Sequence, residues 1–432
     1  MLTYNQTIMH PVAIVVLLIA GMLTIALPRR YALIPFLVAA IFIPMQQRIV
    51  IATLDFTTLR ILVLFGWTRL VMRHEYHGLR FNSIDLVMIL WVVARTVSYL
   101  LLWQTTDALI YRLGGAFDAF GIYFLIRHLV RDFKDIETII KALAIICIPL
   151  ALAMLVERIT GRNALAVFGG VPEMTIIRDG RLRSQGAFKH PILAGTFGAT
   201  LLPLFLSLWF RDHQARKLAV VGALAATIIT VSTASSGPAI AFIVGIAGMM
   251  MWLFRRGMSV ILWGSACTLI GLHLVMKAPV WALLWRFSVF GASTGYHRYV
   301  LVDQFIRRFN EWWLVGTKSH ADWGFYLFDV TNQYVRVGVD GGFMTLLLFI
   351  TAIILCFKGL GRALKFSHNQ PATQMCLWAL GASLFAHILS FMSVSYFDQI
   401  IVIWYMLLAV ISTASMFISH IQDGKNLTAR ST

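Results

Sequence analysis

Charged residues are scarce in this chain, and their scarcity excludes an ordinary soluble protein. Asp, Glu, Lys and Arg make up 13% of the 432 residues, whereas 59% of the residues are hydrophobic. A soluble domain carries about a quarter charged residues. Apolar stretches long enough to cross a bilayer recur along the whole chain, and helices satisfy their own backbone in lipid. We therefore predict an all-α polytopic membrane protein.

Several motifs with known chemistry are absent as well. The sequence contains no Walker loop, no dinucleotide-binding fingerprint and no GxSxG elbow. Its cysteines all lie inside apolar stretches or at their ends; they are Cys147, Cys267, Cys356 and Cys376. This placement predicts neither a disulfide framework nor a metal site. We therefore expect no cofactor and no bound metal.

Acidic residues are the rarer charged type. The chain has 19 Asp and Glu against 36 Lys and Arg, which gives a formal net charge of +17. In a soluble protein such a balance would suggest nucleic-acid binding. Here many of the cations lie in short connections between apolar stretches, where membrane topology accounts for them. We therefore expect a lipid bilayer, and no nucleic acid, as a partner.

The apolar pattern predicts 12 to 13 transmembrane helices in a single membrane domain, residues 1–432. The first stretch has no basic segment before it and no small-residue cleavage site, so we expect a retained helix and not a signal peptide. The second is short for a bilayer. The predicted spans are 11–28, 31–44, 56–72, 83–102, 108–127, 138–157, 191–210, 218–233, 238–254, 259–276, 341–357, 375–392 and 400–418.

Lys and Arg mark the two sides of the membrane. Alternate short connections are basic, such as 29–30, 127–134, 211–217 and 358–365, and by the positive-inside rule they are cytoplasmic. Most connections of the other set are nearly free of cations. This alternation predicts an outside N-terminus, an inside C-terminus and a multi-pass membrane protein.

Two long loops on the predicted outer side break the rule. Loop 158–190 holds Arg158, Arg162, Arg178, Arg181, Arg183 and Lys189. Loop 277–340 holds Lys277, Arg286, Arg298, Arg307, Arg308, Lys318 and Arg336. We expect these periplasmic loops to contain amphipathic helices, because the segment 298–309 alternates apolar and charged residues at helical spacing. Cations on this side favour an anionic ligand.

The first loop ends in a cluster that suits a diphosphate. Arg178, Arg181 and Arg183 are close in sequence, and guanidinium groups bind phosphate through two parallel hydrogen bonds. We therefore list all three as ligand-binding candidates, although contact with lipid headgroups would also account for them. His190 precedes Pro191 at the start of a helix; it is a binding candidate or a structural residue.

The second loop offers an inward-facing cation, Arg298, and then a polar cluster. His320 and Asp329 could accept a proton from a sugar hydroxyl, and Thr331, Asn332 and Arg336 could bind substrate. Polar residues are ordinary in a long outer loop, so each of these also has a structural explanation.

A few ionisable residues lie in or near the predicted spans: Arg60, Asp85, Arg95, Arg112, Asp118 and His387. Charge at membrane depth is a functional candidate by default. Asp85 and Arg112 lie near predicted helix ends, where we expect their side chains to reach the interface. Asp118 is the deepest carboxylate, and a structural salt bridge explains it at least as well as catalysis.

Three blocks of sequence, in order, resemble a known family. They are RSQGAFKHPILAGTFGATLLP, STASSGPAIAFIVG, and RYVLVDQF followed by GTKSHADWGFYLFDVTNQYVRVGVDGG; together they cover about residues 180–350. The chain resembles the bacterial O-antigen ligase and O-antigen or exopolysaccharide polymerase superfamily. The resemblance implies a GT-C-like helical membrane fold. It also implies a substrate, a glycan on undecaprenyl diphosphate that is passed to an acceptor glycan at the periplasmic face.

The resemblance also implies roles for individual residues. Arg183 and Arg298 match the family arginines that hold the donor diphosphate. Ligases carry a His-Asn pair where this chain has Thr331 and Asn332, which favours the polymerase branch. The base that accepts the hydroxyl proton is then either Asp329 or His320, and the sequence does not decide between them.

We therefore predict a glycosyltransferase that polymerises polysaccharide repeat units, in which a chain-length regulator is a possible partner. The first alternative is a ligase that uses the same donor and a different acceptor. The second is a transporter or flippase of lipid-linked oligosaccharide, which would carry its cations between the spans and often shows repeated halves. A purely structural membrane scaffold is the remaining alternative.

Overall fold

The computed structural model describes residues 7–51, 53–283 and 292–430. Arg286 and part of loop 277–340 lie outside the described residues. The helices are α1 (Pro11–Ala26), α2 (Leu33–Phe42), α3 (Thr58–Met72), α4 (Ser83–Trp103), α5 (Thr106–Leu129), α6 (Phe133–Thr160), α7 (Pro191–Ser207), α8 (His213–Ser232), α9 (Ser236–Met250), α10 (Met258–Val275), α11 (Ala292–Arg307), α12 (Phe309–Trp312), α13 (Gln333–Phe366), α14 (Pro371–Ser390) and α15 (Ile400–Arg430).

The prediction of an all-α polytopic membrane protein is confirmed at this coarse level. Within the described ranges, eight helical segments are long and apolar enough to cross a membrane. One of them runs from Ser236 to Val275 and covers two predicted spans. A helix lies at each of the thirteen predicted positions. Helix α2 has ten residues, about 15 Å at 1.5 Å per residue, which is too short to span a bilayer alone.

The connections between helices form two groups, one at each end of the bundle. In the group with the short basic connections, Arg131 Nη2 donates to Glu75 O at 2.6 Å. In the other group, Gln47 Nε2 donates to Phe168 O at 2.7 Å, and Gln399 Nε2 donates to Ala187 O at 2.7 Å. Each group corresponds to one side of the predicted topology. We call the end formed by the described residues 43–51, 53–57, 161–190, 233–235, 276–283, 292–332 and 391–399 the outer end.

The loops at the outer end differ from the expectation of amphipathic helices. Segment 161–190 contains a 3₁₀ turn, Ala164–Phe168, and a hairpin of strands Ile176–Arg178 and Arg181–Arg183. The hairpin forms because Asp179 and Gly180 both adopt positive φ, 51° and 69°, as tight two-residue turns require. The second loop does contain a helix, α11, but it ends at Arg307, earlier than predicted.

Of two expectations about ionisable residues in the spans, the one for Asp85 and Arg112 is wrong and the one for Asp118 is confirmed. Asp85 does not reach the interface: it is fully buried, and its carboxylate accepts from Tyr123 Oη at 2.6 Å and Arg127 Nε at 2.9 Å. Arg112 is buried too, at 4% exposure. The prediction failed because helix ends inside a bundle face protein instead of solvent. The structural salt bridge expected for Asp118 is confirmed, since Arg60 Nε lies 3.2 Å from it.

Helix α13 bends at Gly342, and the bend attaches the second outer loop to the bundle. Gly342 has φ 77° and ψ −179° inside an otherwise helical segment. The bend releases two backbone groups from the helix, and the loop pairs with both of them. Thr317 N donates to Val339 O at 2.9 Å, and Phe343 N donates to Trp313 O at 2.7 Å. The loop is therefore fixed to the helix that follows it.

We predict that Gly342→Ala lowers the thermal midpoint of the purified protein, whereas Gly361→Ala in the same helix does not. The conformation of Gly342 is essentially restricted to glycine, and a side chain there costs about 1–3 kcal/mol. Its Cβ would also lie 3.0 Å from Trp313 O. A Cβ on Gly361 would meet open space, and alanine favours a helix. Thermal unfolding in detergent measures both variants; equal midpoints would contradict the role of the bend.

Candidate functional site

Arg183 ends the hairpin and turns into the protein. The pairing puts Arg178 opposite Arg181 near the tip, where both are exposed, and Ile176 opposite Arg183 at the base. Arg183 is 6% exposed. The next residue, Ser184, donates its backbone N–H to Ser232 O at 3.1 Å, which holds the base of the hairpin against the end of α8. The three candidate arginines of this loop therefore have different environments, and only Arg183 is buried.

The contacts of Arg183 are neutral. Its Nη2 donates to Ser235 Oγ at 2.7 Å, and its Nε donates to Thr233 O at 3.3 Å. Asp179 acts on this guanidinium only at longer range and itself pairs with Arg178 at 3.7 Å; no ion pair within 4.0 Å involves Arg183 among the described residues. Burial lowers the pKa of Arg183, and the nearby charge of Arg178 lowers it further, although the guanidinium remains charged at neutral pH. A buried cation without a counter-charge is a strong attractor for an anion.

The N-terminus of α9 lies beside Arg183. Ser235 is the N-cap residue of this 15-residue helix, but its side chain makes no capping hydrogen bond. Its hydroxyl instead accepts from Arg183 and donates to Thr233 O at 2.9 Å. The first N–H groups of a helix carry partial positive charge and bind anions when no side chain caps them. The serine turn before α9 therefore also contributes to the site.

Arg298 reaches the same turn from α11. A Cβ built on Gly237 would lie 3.8 Å from Arg298 Nη2, so the guanidinium is next to the first turn of α9. Arg298 is 6% exposed, and its Nε has no hydrogen-bond partner in the part of the chain that the structure describes. Burial, and then the charge of Arg178, lower the pKa of Arg298 to about 10. We call Arg183, Arg298 and the turn Thr233–Gly237 the arginine site.

Glu157 holds the segment that follows Arg183, and sequence analysis missed it. Its Oε1 accepts from Gln185 N at 3.0 Å and from Thr175 Oγ1 at 3.2 Å, and its Oε2 accepts from Gly186 N at 2.9 Å. This carboxylate is 1% exposed and is satisfied by neutral donors. The only sequence signal was an acidic residue at the outer end of the predicted span 138–157. Glu157 fixes the backbone that carries Arg183.

Asp398 is a second residue that sequence analysis missed. It lies in the loop between α14 and α15, and its Oδ2 accepts from Lys189 N at 2.7 Å. Burial raises the pKa of Asp398 to about 7. His190, next to Lys189, accepts from Ile192 N through Nδ1 at 3.2 Å and so caps α7. Burial, then Arg183 and Arg178, lower the pKa of His190 to about 4, so its ring is neutral and structural.

The polar residues of the second loop divide between two places. Asn332 is buried and caps α13, because its Oδ1 accepts from Tyr334 N at 2.9 Å and Val335 N at 3.2 Å. The buried Thr331 hydroxyl has no hydrogen-bond partner among the described residues. Asp329 is exposed, and its carbonyl lies 3.1 Å from Nε2 of His297, the residue before Arg298. These three residues belong to the side of the loop nearer the arginine site.

His320 and Arg336 belong to a different group, around Asp340. Arg336 Nε donates to Asp340 Oδ2 at 3.1 Å. Burial and the charge of Arg336 lower the pKa of His320. The structure therefore brings together Arg183, Arg298, Arg178 and His190, but it does not join His320 or Arg336 to them.

Comparisons with known proteins assign no function to this site. No protein-family model matches the chain, and a search of curated proteins returns no match. The geometry and charge of the arginine site are therefore the features from which its function is inferred.

We predict that Arg298→Ala weakens the binding of inorganic diphosphate at least tenfold. A hydrogen bond to a charged group contributes about 1.5–3 kcal/mol, which corresponds to roughly a tenfold to hundredfold change in Kd. Arg307→Ala on the same helix is the matched control, because the Arg307 side chain is 66% exposed and pairs with Asp303. Calorimetric titration in detergent compares the two variants. Equal affinities would show that the arginine site does not bind the anion.

Proposed function

We propose that this protein is a polysaccharide polymerase that transfers a glycan from undecaprenyl diphosphate to a hydroxyl of an acceptor glycan. The observation that carries the proposal is the arginine site, where Arg183 and Arg298 are buried next to an uncapped helix N-terminus with no carboxylate partner among the described residues. An anion with more than one negative charge satisfies such a site, and a diphosphate is one. The apolar helices around it suit a lipid carrier.

The proposed reaction is a single displacement with inversion. The acceptor oxygen forms a bond to the anomeric carbon of the donor while the bond from that carbon to the diphosphate oxygen breaks. The electron pair of the broken bond goes to the diphosphate, which leaves with one additional negative charge, and the hydroxyl proton goes to a base. Arg183 and Arg298 stabilise the charge that develops on the diphosphate. Because diphosphate is already a good leaving group, the transfer does not need ATP.

Asp398 fits the role of the base better than the two residues expected from the sequence. A general base works best when its pKa is near the operating pH, and burial brings that of Asp398 to about 7. Its loop also contacts the segment that follows Arg183, through Gln399 and Ala187. His320 is in the other group of charges, around Arg336 and Asp340. Asp329 remains the alternative base, because it is exposed next to α11.

A ligase would use the same donor site with a lipid-linked acceptor. The resemblance favours a polymerase, because Thr331 stands where ligases carry histidine. A flippase is less favoured, because Arg183, at the end of the hairpin, and Arg298, on α11, both lie outside the helices long and apolar enough to span a membrane. We propose the bacterial inner membrane as the location, with the site facing the periplasm and a chain-length regulator as a further partner.

We expect Arg183→Ala and Arg298→Ala each to lower the rate of polymerisation at least a hundredfold. Removing one group that stabilises developing charge typically has this effect. Purified protein is incubated with lipid-diphosphate repeat units alone, and products are resolved as a ladder on a gel. Arg307→Ala is the control and should give the normal ladder. Normal ladders from both site variants would contradict the mechanism; a wild-type product only when lipid A core is added would indicate a ligase.

We also expect the rate to rise with pH through about 7. Below that pH Asp398 is protonated and cannot accept the hydroxyl proton; above it the carboxylate is free to act. Asp398→Asn should be slow at every pH and should lose this inflection. Initial rates between pH 5.5 and 8.5 test the assignment. An inflection that persists in Asp398→Asn would exclude Asp398 and leave Asp329 as the candidate.

A further inference from the structure

Three arginines converge on one carboxylate at the outer half of the helix bundle. Arg95 of α4 and Arg112 of α5 place their Nη2 atoms 3.2 and 3.0 Å from Asp340 Oδ2, and Arg336 of α13 places its Nε 3.1 Å from the same oxygen. Four residues from three helices therefore meet at a single point. We call them the three-arginine cluster.

The charges of this cluster do not balance. Three guanidinium groups carry +3 and Asp340 carries −1, which leaves an excess of +2. All three arginines use the same oxygen of Asp340, so the carboxylate cannot satisfy all their donors. Arg112 Nε and Arg95 Nε are buried and have no hydrogen-bond partner within the described residues. Leaving cations uncompensated in a low dielectric is unfavourable, and an anion would remove that cost.

Aromatic rings orient two of the guanidinium groups. The Arg112 guanidinium lies 3.9 Å from the centre of the Tyr99 ring and 5.4 Å from that of Tyr111, and the Arg95 guanidinium lies 5.5 Å from the Trp91 ring. Stacking on a ring occupies the flat face of a guanidinium and leaves its N–H edge free to donate. The donors are therefore held in position before any ligand arrives.

The cluster is open on one side. The side chain of Arg112 is 5% exposed, but that of Arg95 is 25% and that of Arg336 is 41% exposed. Tyr99 and Trp103 pack against each other at this level, and Lys318 Nζ lies 5.9 Å from the Trp103 ring. Tyr and Trp belts mark the headgroup depth of membrane proteins. A ligand can therefore approach from the membrane surface.

We propose that the three-arginine cluster binds a phosphate group, at a site separate from the arginine site. The excess of +2 matches a phosphate monoester, and edge donors from three helices match its oxygens. The phosphate could belong to a lipid headgroup or be free in solution; the chemistry of recognition is the same. This inference does not depend on the proposed polymerase activity.

The test uses the full-length protein in phosphatidylcholine nanodiscs. One arm adds inorganic phosphate and records the thermal midpoint; the other includes phosphatidic acid and counts retained lipid by native mass spectrometry.

We expect Arg336→Gln to weaken phosphate binding tenfold or more, the loss expected for one charge-assisted contact. Arg307→Gln, which removes an exposed arginine at the end of α11, should bind like wild type. Retention of phosphatidic acid would show that the bound phosphate comes from a lipid headgroup. A response to inorganic phosphate alone would show that it comes from solution.

Asp340→Asn provides a second test, in which phosphate affinity should rise instead of fall. Removing the only carboxylate of the cluster raises its excess to +3, so phosphate should bind more tightly than to wild type. A merely structural cluster would show no such gain. The proposal is overturned if Arg336→Gln binds phosphate as Arg307→Gln does, or if wild type binds in neither arm. It is also overturned if binding is lost in Arg183→Ala and kept in Arg336→Gln, because the anion would then occupy the arginine site.

Discussion

The free-energy cost of burying a guanidinium in a low dielectric determines which partners the arginines of this structure need. A buried cation needs a carboxylate or several good hydrogen bonds, and a missing partner costs several kcal/mol. At the opposite end of the bundle three arginines meet this requirement. Arg127 Nε lies 2.9 Å from Asp85, Arg69 Nε 2.8 Å from Glu75, and Arg29 Nη1 2.6 Å from Asp135. These pairs join neighbouring segments and need no ligand.

At the outer end two buried arginines, Arg183 and Arg298, do not meet this requirement. This difference distinguishes the candidate ligand-binding residues from the structural ones. Arg183 has a hydroxyl and a carbonyl as partners, and Arg298 has no carboxylate among the described residues. Neutral groups hold the Arg183 guanidinium in place without neutralising it. Glu157 could have supplied a charge, but its oxygens are taken by backbone N–H groups of Gln185 and Gly186. The carboxylate of Glu157 therefore positions the backbone and does not neutralise the two cations.

The sequence predicted these arginines but not what surrounds them, and the reason is physical. Hydropathy and the positive-inside rule depend on local composition, so the helix positions could be predicted from single stretches. Excess positive charge drew attention to thirteen cations in two loops, and the family resemblance singled out Arg183 and Arg298 among them. Asp398, Glu157 and the convergence of Arg95, Arg112 and Arg336 depend on contacts between distant segments, which composition does not encode. The hairpin 176–183 was missed because two φ-positive residues, and no periodic pattern, specify it.

The two proposed anion sites differ in one respect, from which we expect an order of affinity. At the arginine site an incoming anion meets cations whose partners are neutral, so it gains their full attraction. At the three-arginine cluster it must share the guanidiniums with Asp340, whose negative charge also repels it. Like charges at close range weaken binding, whereas a preorganised site without a competing carboxylate retains it. A diphosphate that must be held through a reaction therefore suits the arginine site, and a phosphate that exchanges readily suits the cluster.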